Sequence, residues 1–489
     1  MLQAFLEKSA DLQPHKTALV CGNQRYSFRE IEIRANRLAN QLATAGVKRG
    51  DRVAICFDNS TEAAISIFGV LKAGAIFLPL NPGIKDAKLA WILRDCGARL
   101  MLASPNRSVL SDVCPVISSF DDSEAAERPA RQCIDIDLAA ILYTSGSTGK
   151  PKGVMLTHRN MISAAESIIE YLSNRREDVI LSVLPMSFNY GLYQWLMVCQ
   201  FGGTLVLEKS FAYPWAVIET MQRERVTGFP LVPTMAAILL QLDLAKVELP
   251  DLRYITNAGA AIPGAHVQRL RAALPGVEIY CMYGQTEATR ISYLPPDQIE
   301  LRQDSVGRGI PNEEVWIVDD QGQRVPPGVV GELVVRGANV MKGYWNLPDE
   351  TDRVLKPGPL PFERILYTGD LFRADEDGYL YFVARKDDII KSRGEKVSPR
   401  EVEDALCAIP EIAEAAVIGV PDAVLGEAVH AFAVLREGCV LDKQEIRRCC
   451  QQVLEDFMVP KIVEIVVSLP KLPNGKIDRR ELCAGKRSR

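Results

Sequence analysis

Through its first 283 residues the chain alternates short apolar runs with amphipathic stretches, and this rhythm limits the folds open to it. Ser27-Phe28-Arg29-Glu30 has the spacing of a capping box. Ile31, Ala35, Leu38, Leu42 and Ala45 follow at helical spacing, and Gly46 closes the helix. Strand signals cover 52–57, 76–80, 98–103, 138–143, 179–184, 203–207, 226–232, 252–257 and 277–282. Helical patterns cover 60–73, 160–171 and 215–224, and a further helix follows Ala261. Strands that alternate with helices predict a mostly parallel sheet with helices on its faces, an α/β class. Such sheets take ligands at the carboxyl ends of their strands. Residues 104–136 are poorly periodic and read as surface connections.

At 489 residues the chain is too long for one compact domain. After about residue 300 the pattern becomes short strands between Pro/Gly turns such as Pro326-Pro327-Gly328, a smaller β-rich subdomain. From about 388 a new αβ unit begins. The charged stretch Arg385-Lys386-Asp387-Asp388 suits a hinge. The division expected is a large domain over 1–386, with its β-rich part at about 300–386, and a small mobile α+β domain over 387–489.

A net charge of −5 implies no basic face, which argues against nucleic acid as a partner. Twelve cysteines without paired metal spacing, and only four histidines, argue against zinc. Free thiols fit a reducing compartment. No stretch reaches membrane-spanning length, so a cytoplasmic location is expected.

One loop stands out at the end of the 138–143 strand, Thr144-Ser145-Gly146-Ser147-Thr148-Gly149-Lys150-Pro151-Lys152-Gly153. Small hydroxyl and glycine residues let backbone N–H groups converge on a polyphosphate, and two lysines add positive charge. It is not a standard P-loop, because Pro151 stands where a hydroxyl residue and a helix should begin. Further on, Tyr283-Gly284-Gln285-Thr286-Glu287 follows a strand and offers an aromatic face, a hydroxyl and a carboxylate. Tyr367-Thr368-Gly369-Asp370 places an Asp at a strand turn, where it can accept from ribose hydroxyls.

The loop, with Thr157-His158 after it, resembles the phosphate loop of AMP-forming acyl-CoA synthetases, adenylation domains and luciferases. The resemblance runs over about 15–485. It implies that Thr144, Ser145, Gly146, Ser147, Thr148, Gly149 and Lys152 meet the phosphates of ATP. It implies that Gly259, Ala260, Ala261, Tyr283 and Gly284 surround adenine, and that Asp370 and Arg385 meet the ribose. Thr286 and Glu287 are expected at the reacting phosphate, with Thr144 and Glu287 as Mg²⁺ ligands. Lys476, in Pro473-Asn474-Gly475-Lys476, matches the family's C-terminal catalytic lysine. Asp387 falls at the family's pivot, and Gly394 on the loop that lines a thiol channel. Ala258 and Ala384 stand where the family more often has glycine.

The reaction implied has two steps, acyl-adenylate formation and then thioester formation. The acid is read from Phe188, Asn189, Tyr190, Trp195 and Phe229 as pocket residues. Amino-acid-activating relatives usually place Asp at the position of Asn189. A neutral Asn argues for an acid without an α-amine, such as a fatty or aryl acid. The expected enzyme is a fatty or other non-amino acyl-CoA ligase using ATP, Mg²⁺ and coenzyme A. The phosphopantetheine of an acyl or peptidyl carrier protein is the alternative acceptor. An aminoacyl-carrier-protein ligase and a nucleotide-binding regulator without turnover are the rival readings.

Overall fold

The computed structural model describes residues 1–105, 107, 112–145, 151–386, 388–392, 395–422, 424–472 and 476–484. Among the described residues the strands form three sheets. In the seven-stranded sheet, Arg52–Cys56 lies parallel between Ile76–Pro79 and Leu100–Ala103. Leu138–Ser145 joins the far side of Ile76–Pro79 in parallel. Ala139, Ala140 and Ile141 are fully buried, as a strand covered on both faces requires.

The chain does not pass from this strand through a loop into a helix. It returns antiparallel as Pro151–Thr157, with Thr144 opposite Lys152 and Ser145 opposite Pro151. The phosphate-loop motif is therefore the tip of a hairpin, and its residues 146–150 lie outside the described residues. The helix His158–Leu172 starts only afterwards. Thr157 accepts from the Asn160 N–H at 3.1 Å while the Asn160 side chain accepts from the Thr157 N–H at 2.8 Å. This capping box gives the Thr157-His158 part of the motif a local structural reason.

The second sheet has fourteen strands. Its parallel part runs through Thr17–Cys21, Thr204–Leu207, Val179–Ser182, Gly228–Leu231, Tyr254–Asn257 and Glu278–Tyr283. The β-rich stretch after residue 300 is joined to this sheet. Ser292–Leu294 pairs with Ser305–Gly309, which pairs with Leu380–Arg385, so the same sheet continues antiparallel into that stretch. Gly307 makes the junction possible. Its φ is +87°, and a Cβ there would fall 1.6 Å from the Tyr293 carbonyl oxygen.

The helix Asn189–Phe201 lies within the main core and is buried on nearly every side. The third sheet, five strands around Gly426–Leu435, belongs to the C-terminal part. It has its own core, which includes Val402, Leu406, Ile412, Val417, Val429 and Ile446. Arg400 of this part donates to the Ala261 and Ile262 carbonyls at 3.2 and 3.3 Å. No helix among the described residues is long and apolar enough to cross a membrane.

Candidate active site

The parallel strands Tyr254–Asn257 and Glu278–Tyr283 end at one edge of the large sheet, and the groove is built there. Asp370 lies on Arg364–Ala374 directly opposite Arg385 on the antiparallel neighbour Leu380–Arg385. Cross-strand pairing sets side chains at this spacing face to face. The Arg385 Nε lies 2.9 Å from one Asp370 oxygen. The other oxygen accepts from the Tyr283 hydroxyl at 2.6 Å and from the Gln285 amide at 2.9 Å. Gln285 also donates to the Thr368 carbonyl at 2.9 Å. Asp370 is buried and Arg385 is more than half exposed, so the arginine is the open member of the pair. Burial pushes the Tyr283 phenol well above its usual value, and the adjacent Asp370 charge adds to that shift. The phenol therefore stays a donor.

Glu287 follows four residues after Tyr283, with Gly284 and Thr286 in the turn between. It accepts from the Tyr344 hydroxyl at 2.8 Å, and its backbone carbonyl accepts from the Met341 N–H at 2.8 Å. Tyr344 belongs to Gly343–Tyr344, the strand paired to Pro151–Thr157. The carboxylate is thus tied to the hairpin that carries the phosphate-loop motif. Lys152 on that hairpin forms an ion pair with Glu350 at 2.8 Å, and its ammonium lies 5.2 Å from the Tyr344 ring centroid. Its charge is already committed to the protein, which the reading of Lys152 as a phosphate ligand does not foresee.

On the other side, Gly259 has a left-handed φ of +90°. A Cβ there would sit 3.7 Å from Phe188 Cζ, 3.7 Å from Val232 Cγ1 and 3.9 Å from Lys476 Cε. Ala260 and Ala261 continue this turn. The Ala260 carbonyl accepts from Asn257 at 3.2 Å, and the Ala261 carbonyl takes the Arg400 bond. Lys476, 217 residues beyond Gly259 in sequence, thus reaches into the groove. Burial among these groups lowers its pKa and the Arg385 guanidinium lowers it further, while Asp370 and Glu287 act the other way. The residue still keeps substantial exposed surface, because the groove is open on one side.

Phe188 flanks the Gly259 turn, and Asn189 after it opens the helix Asn189–Phe201. The Asn189 amide donates to the Thr289 hydroxyl at 3.0 Å, and its Oδ1 is buried without a partner. Tyr190 and Phe229 are both buried. Tyr190 is buried with its hydroxyl on the Thr256 carbonyl at 2.8 Å, and Phe229 packs near Phe211 in the core. Trp195 is core as well, with its indole N–H on the Ala64 carbonyl at 3.1 Å and its ring edge-on to Phe68. A helix buried all round has to fill its space with large side chains, which accounts for Tyr190 and Trp195 on Asn189–Phe201.

Thr144 is half-buried at the hairpin's end. Of Ser145 only the backbone is described. Gly146, Ser147, Thr148, Gly149, Asp387 and Gly394 lie outside the described residues. Three groups that shape the site escaped the sequence reading. Gln285 and Tyr344 hold the two carboxylates, and Arg290 lies buried behind Asn189.

A carboxylate clamp and a second carboxylate share this sheet edge with a glycine turn. A lysine from a separately folded C-terminal part enters the same groove. Two parts with separate cores thus contribute side chains to one groove. The chain belongs to the AMP-binding enzyme family: that family's model matches residues 6–345, and the model of its C-terminal domain matches residues 401–476. Feruloyl-CoA synthase of an Amycolatopsis species is 34% identical over 97% of both chains. A linear gramicidin synthase polypeptide of Brevibacillus parabrevis is 34% identical over 99% of this chain, which spans only 6% of that much longer protein. The solved structure of ATP-bound MatB from Rhodopseudomonas palustris superposes with a TM-score of 0.91 at 28% identity, covering 99% of this chain and 98% of that one.

Proposed function

We propose that the chain joins a carboxylic acid to a thiol through an acyl-adenylate, with coenzyme A as the thiol. The observation that carries this reading is the entry of Lys476 from the C-terminal part into the groove of Asp370, Glu287 and Gly259. Attack of one anion on another needs a cation between them, and this geometry supplies it.

ATP would lie with its ribose hydroxyls on Asp370 and Arg385, its adenine against Tyr283 and the Gly259–Ala261 turn, and its phosphates toward Thr144 and the hairpin tip. In the first step a carboxylate oxygen of the acid attacks the α-phosphorus. The bond from that phosphorus to pyrophosphate breaks, and acyl-AMP forms. Lys476 offsets the negative charge that accumulates on the non-bridging oxygens. In the second step the thiol sulfur attacks the acyl carbon, the carbon–oxygen bond to AMP breaks, and AMP leaves.

The residues present fit Mg²⁺ delivered with the nucleotide. Among the described residues no group of three or more His, Cys, Asp and Glu is placed to hold a metal by itself. One carboxylate, Glu287, with the Thr144 hydroxyl and substrate phosphates is the kind of oxygen set Mg²⁺ takes. The ion would screen the phosphates when bound.

The C-terminal part, 387–489, would act as a lid that pivots near Asp387 and brings Gly394 to the site for the thiol step. Separate cores on the two sides support this division. The neutral Asn189 supports an acid without an α-amine. Twelve free cysteines, together with ATP and coenzyme A as substrates, fit the cytoplasm. The full-length match to a segment of a gramicidin synthase favours carrier-protein phosphopantetheine as the second reading.

A panel of acids crossed with coenzyme A and with a loaded carrier protein tests this, read by pyrophosphate release and by mass spectrometry of the thioester. Acyl-CoA from a non-amino acid is expected. Stimulation by amino acids alone, or release of pyrophosphate without any thioester, would overturn the reading.

A further inference from the structure

Arg290 stands three residues after Glu287, inside the mostly buried stretch Ala288–Leu294, and no step above uses it. It is 5% exposed and sits in the left-handed region at φ +55°. A bulky residue held there signals a constraint imposed by its surroundings. Its guanidinium carbon lies 4.3 Å from the ring centroid of Tyr190, the second residue of the helix that Asn189 opens. Its Nε is buried without a hydrogen-bond partner, and among the described residues no carboxylate is paired with it.

Its surroundings are polar and neutral. The phenols of Tyr171 and Tyr190 are buried; their hydroxyls donate to Met282 Sδ at 2.9 Å and to the Thr256 carbonyl at 2.8 Å, and Arg290 donates to the Tyr171 oxygen. Thr289, its chain neighbour, accepts from Asn189. The Asn189 Oδ1 is likewise buried without a partner. Turning that amide over would let Oδ1 accept from the Thr289 hydroxyl and leave the NH₂ free to donate. The oxygen and nitrogen of an amide are distinguished by such partners alone.

A buried guanidinium needs a counter-charge or a full set of acceptors, and one phenol oxygen with one aromatic face supplies only part of that. Contacts lead from the reacting end to this cation. Lys476 Cε and Phe188 Cζ both flank the Gly259 turn, Asn189 follows Phe188, and Thr289 links Asn189 to Arg290.

We infer that Arg290 and Asn189 select an acid carrying a second carboxylate at its far end, so that the substrate is a dicarboxylic acid activated at one end only. The far carboxylate accepts the guanidinium N–H groups and the Asn189 amide. The near one meets ATP and Lys476. This inference rests on the proposed acid-activating function and names its substrate class.

Short straight-chain diacids are compared with the monoacids of equal length, with pyrophosphate release as the readout. Wild-type protein is expected to favour the diacid about a hundredfold in kcat/KM, the scale of one or two charge-assisted hydrogen bonds. In Arg290→Met the ratio should fall close to one, and Arg290→Lys should restore only part of it, because a lysine lacks the planar fork. If either variant fails to fold, the wild-type panel still decides. Monoacids used as well as or better than diacids would overturn this inference alone. A panel in which no acid releases pyrophosphate would overturn it together with the proposed function.

Discussion

Replacing Asp370 with asparagine probes the groove at its hub. The carboxylate takes bonds from Tyr283 at 2.6 Å, Gln285 at 2.9 Å and Arg385 at 2.9 Å. An asparagine can keep its oxygen toward Tyr283 and Gln285, but its NH₂ then faces the Arg385 guanidinium, donor against donor. Charge assistance is lost on two bonds, roughly 1 kcal/mol each from the difference between charged and neutral hydrogen bonds. The Arg385 side chain is 58% exposed, so losing that ion pair adds only about 0–1 kcal/mol. Asp370→Asn should therefore lower unfolding stability by about 2–3 kcal/mol. If Asp370 also receives the ribose, binding loses at least one charge-assisted bond, about 1.5–3 kcal/mol, or roughly 10- to 150-fold in ATP affinity. Denaturant unfolding reads the first effect and calorimetric titration with ATP the second. Tyr283→Phe is the control. It removes one bond from Asp370 but keeps the ring, and should change ATP affinity by less than about tenfold. Asp370→Asn with the stability loss but wild-type ATP affinity would make the carboxylate a purely structural clamp and refute its place in the nucleotide site.

Other outcomes follow from the same contacts. Tyr344→Phe removes the hydroxyl that Glu287 accepts at 2.8 Å. It should lower the rate of adenylate formation by about tenfold or more with little change in fold, as measured by pyrophosphate release and thermal unfolding. His158 is 2% exposed, and its Nδ1 accepts from the Leu2 N–H at 3.2 Å. Burial lowers its pKa from 6.5 to about 4, the N-terminal ammonium adds to the shift, and Asp137 opposes it. The folded protein therefore holds the neutral ring. Its contribution is complete above about pH 6.5 and is lost as the pH falls toward 4. Denaturant unfolding at pH 5 should show about 2 kcal/mol less from this group than at pH 7, and His158→Gln should flatten that slope.

Local chemistry was legible where one stretch of chain sufficed. The capping box Ser27–Glu30 and the buried strand within Leu138–Ser145 appear as their residues dictate. So does the exit of Glu278–Tyr283 into Gly284–Glu287. The helix Asn189–Phe201 was not legible, because a helix buried on all sides has no polar stripe to reveal its period. The place of Pro151–Thr157 was not legible either. Its antiparallel pairing depends on Leu138–Ser145 and on Gly343–Tyr344, nearly 190 residues later, which no local pattern encodes. Distance in sequence likewise hid the roles of Tyr344 beside Glu287 and of Gln285 beside Asp370. Arg290 did leave a signal, a single charge in the otherwise uncharged stretch 288–296, but its meaning depends on the Tyr190 ring 100 residues earlier.

The central claim is that a lysine carried by the C-terminal part acts on the first chemical step alone. Lys476→Ala can be assayed for ATP–pyrophosphate exchange with an accepted acid, and separately for thioester formation from the synthetic acyl-adenylate. Exchange should fall by about 10²–10³-fold, the loss typical when one preorganised donor to a transition-state oxyanion is removed, while thioester formation from the adenylate stays near the wild-type rate. Equal loss in both assays, or no loss in exchange, would contradict the account.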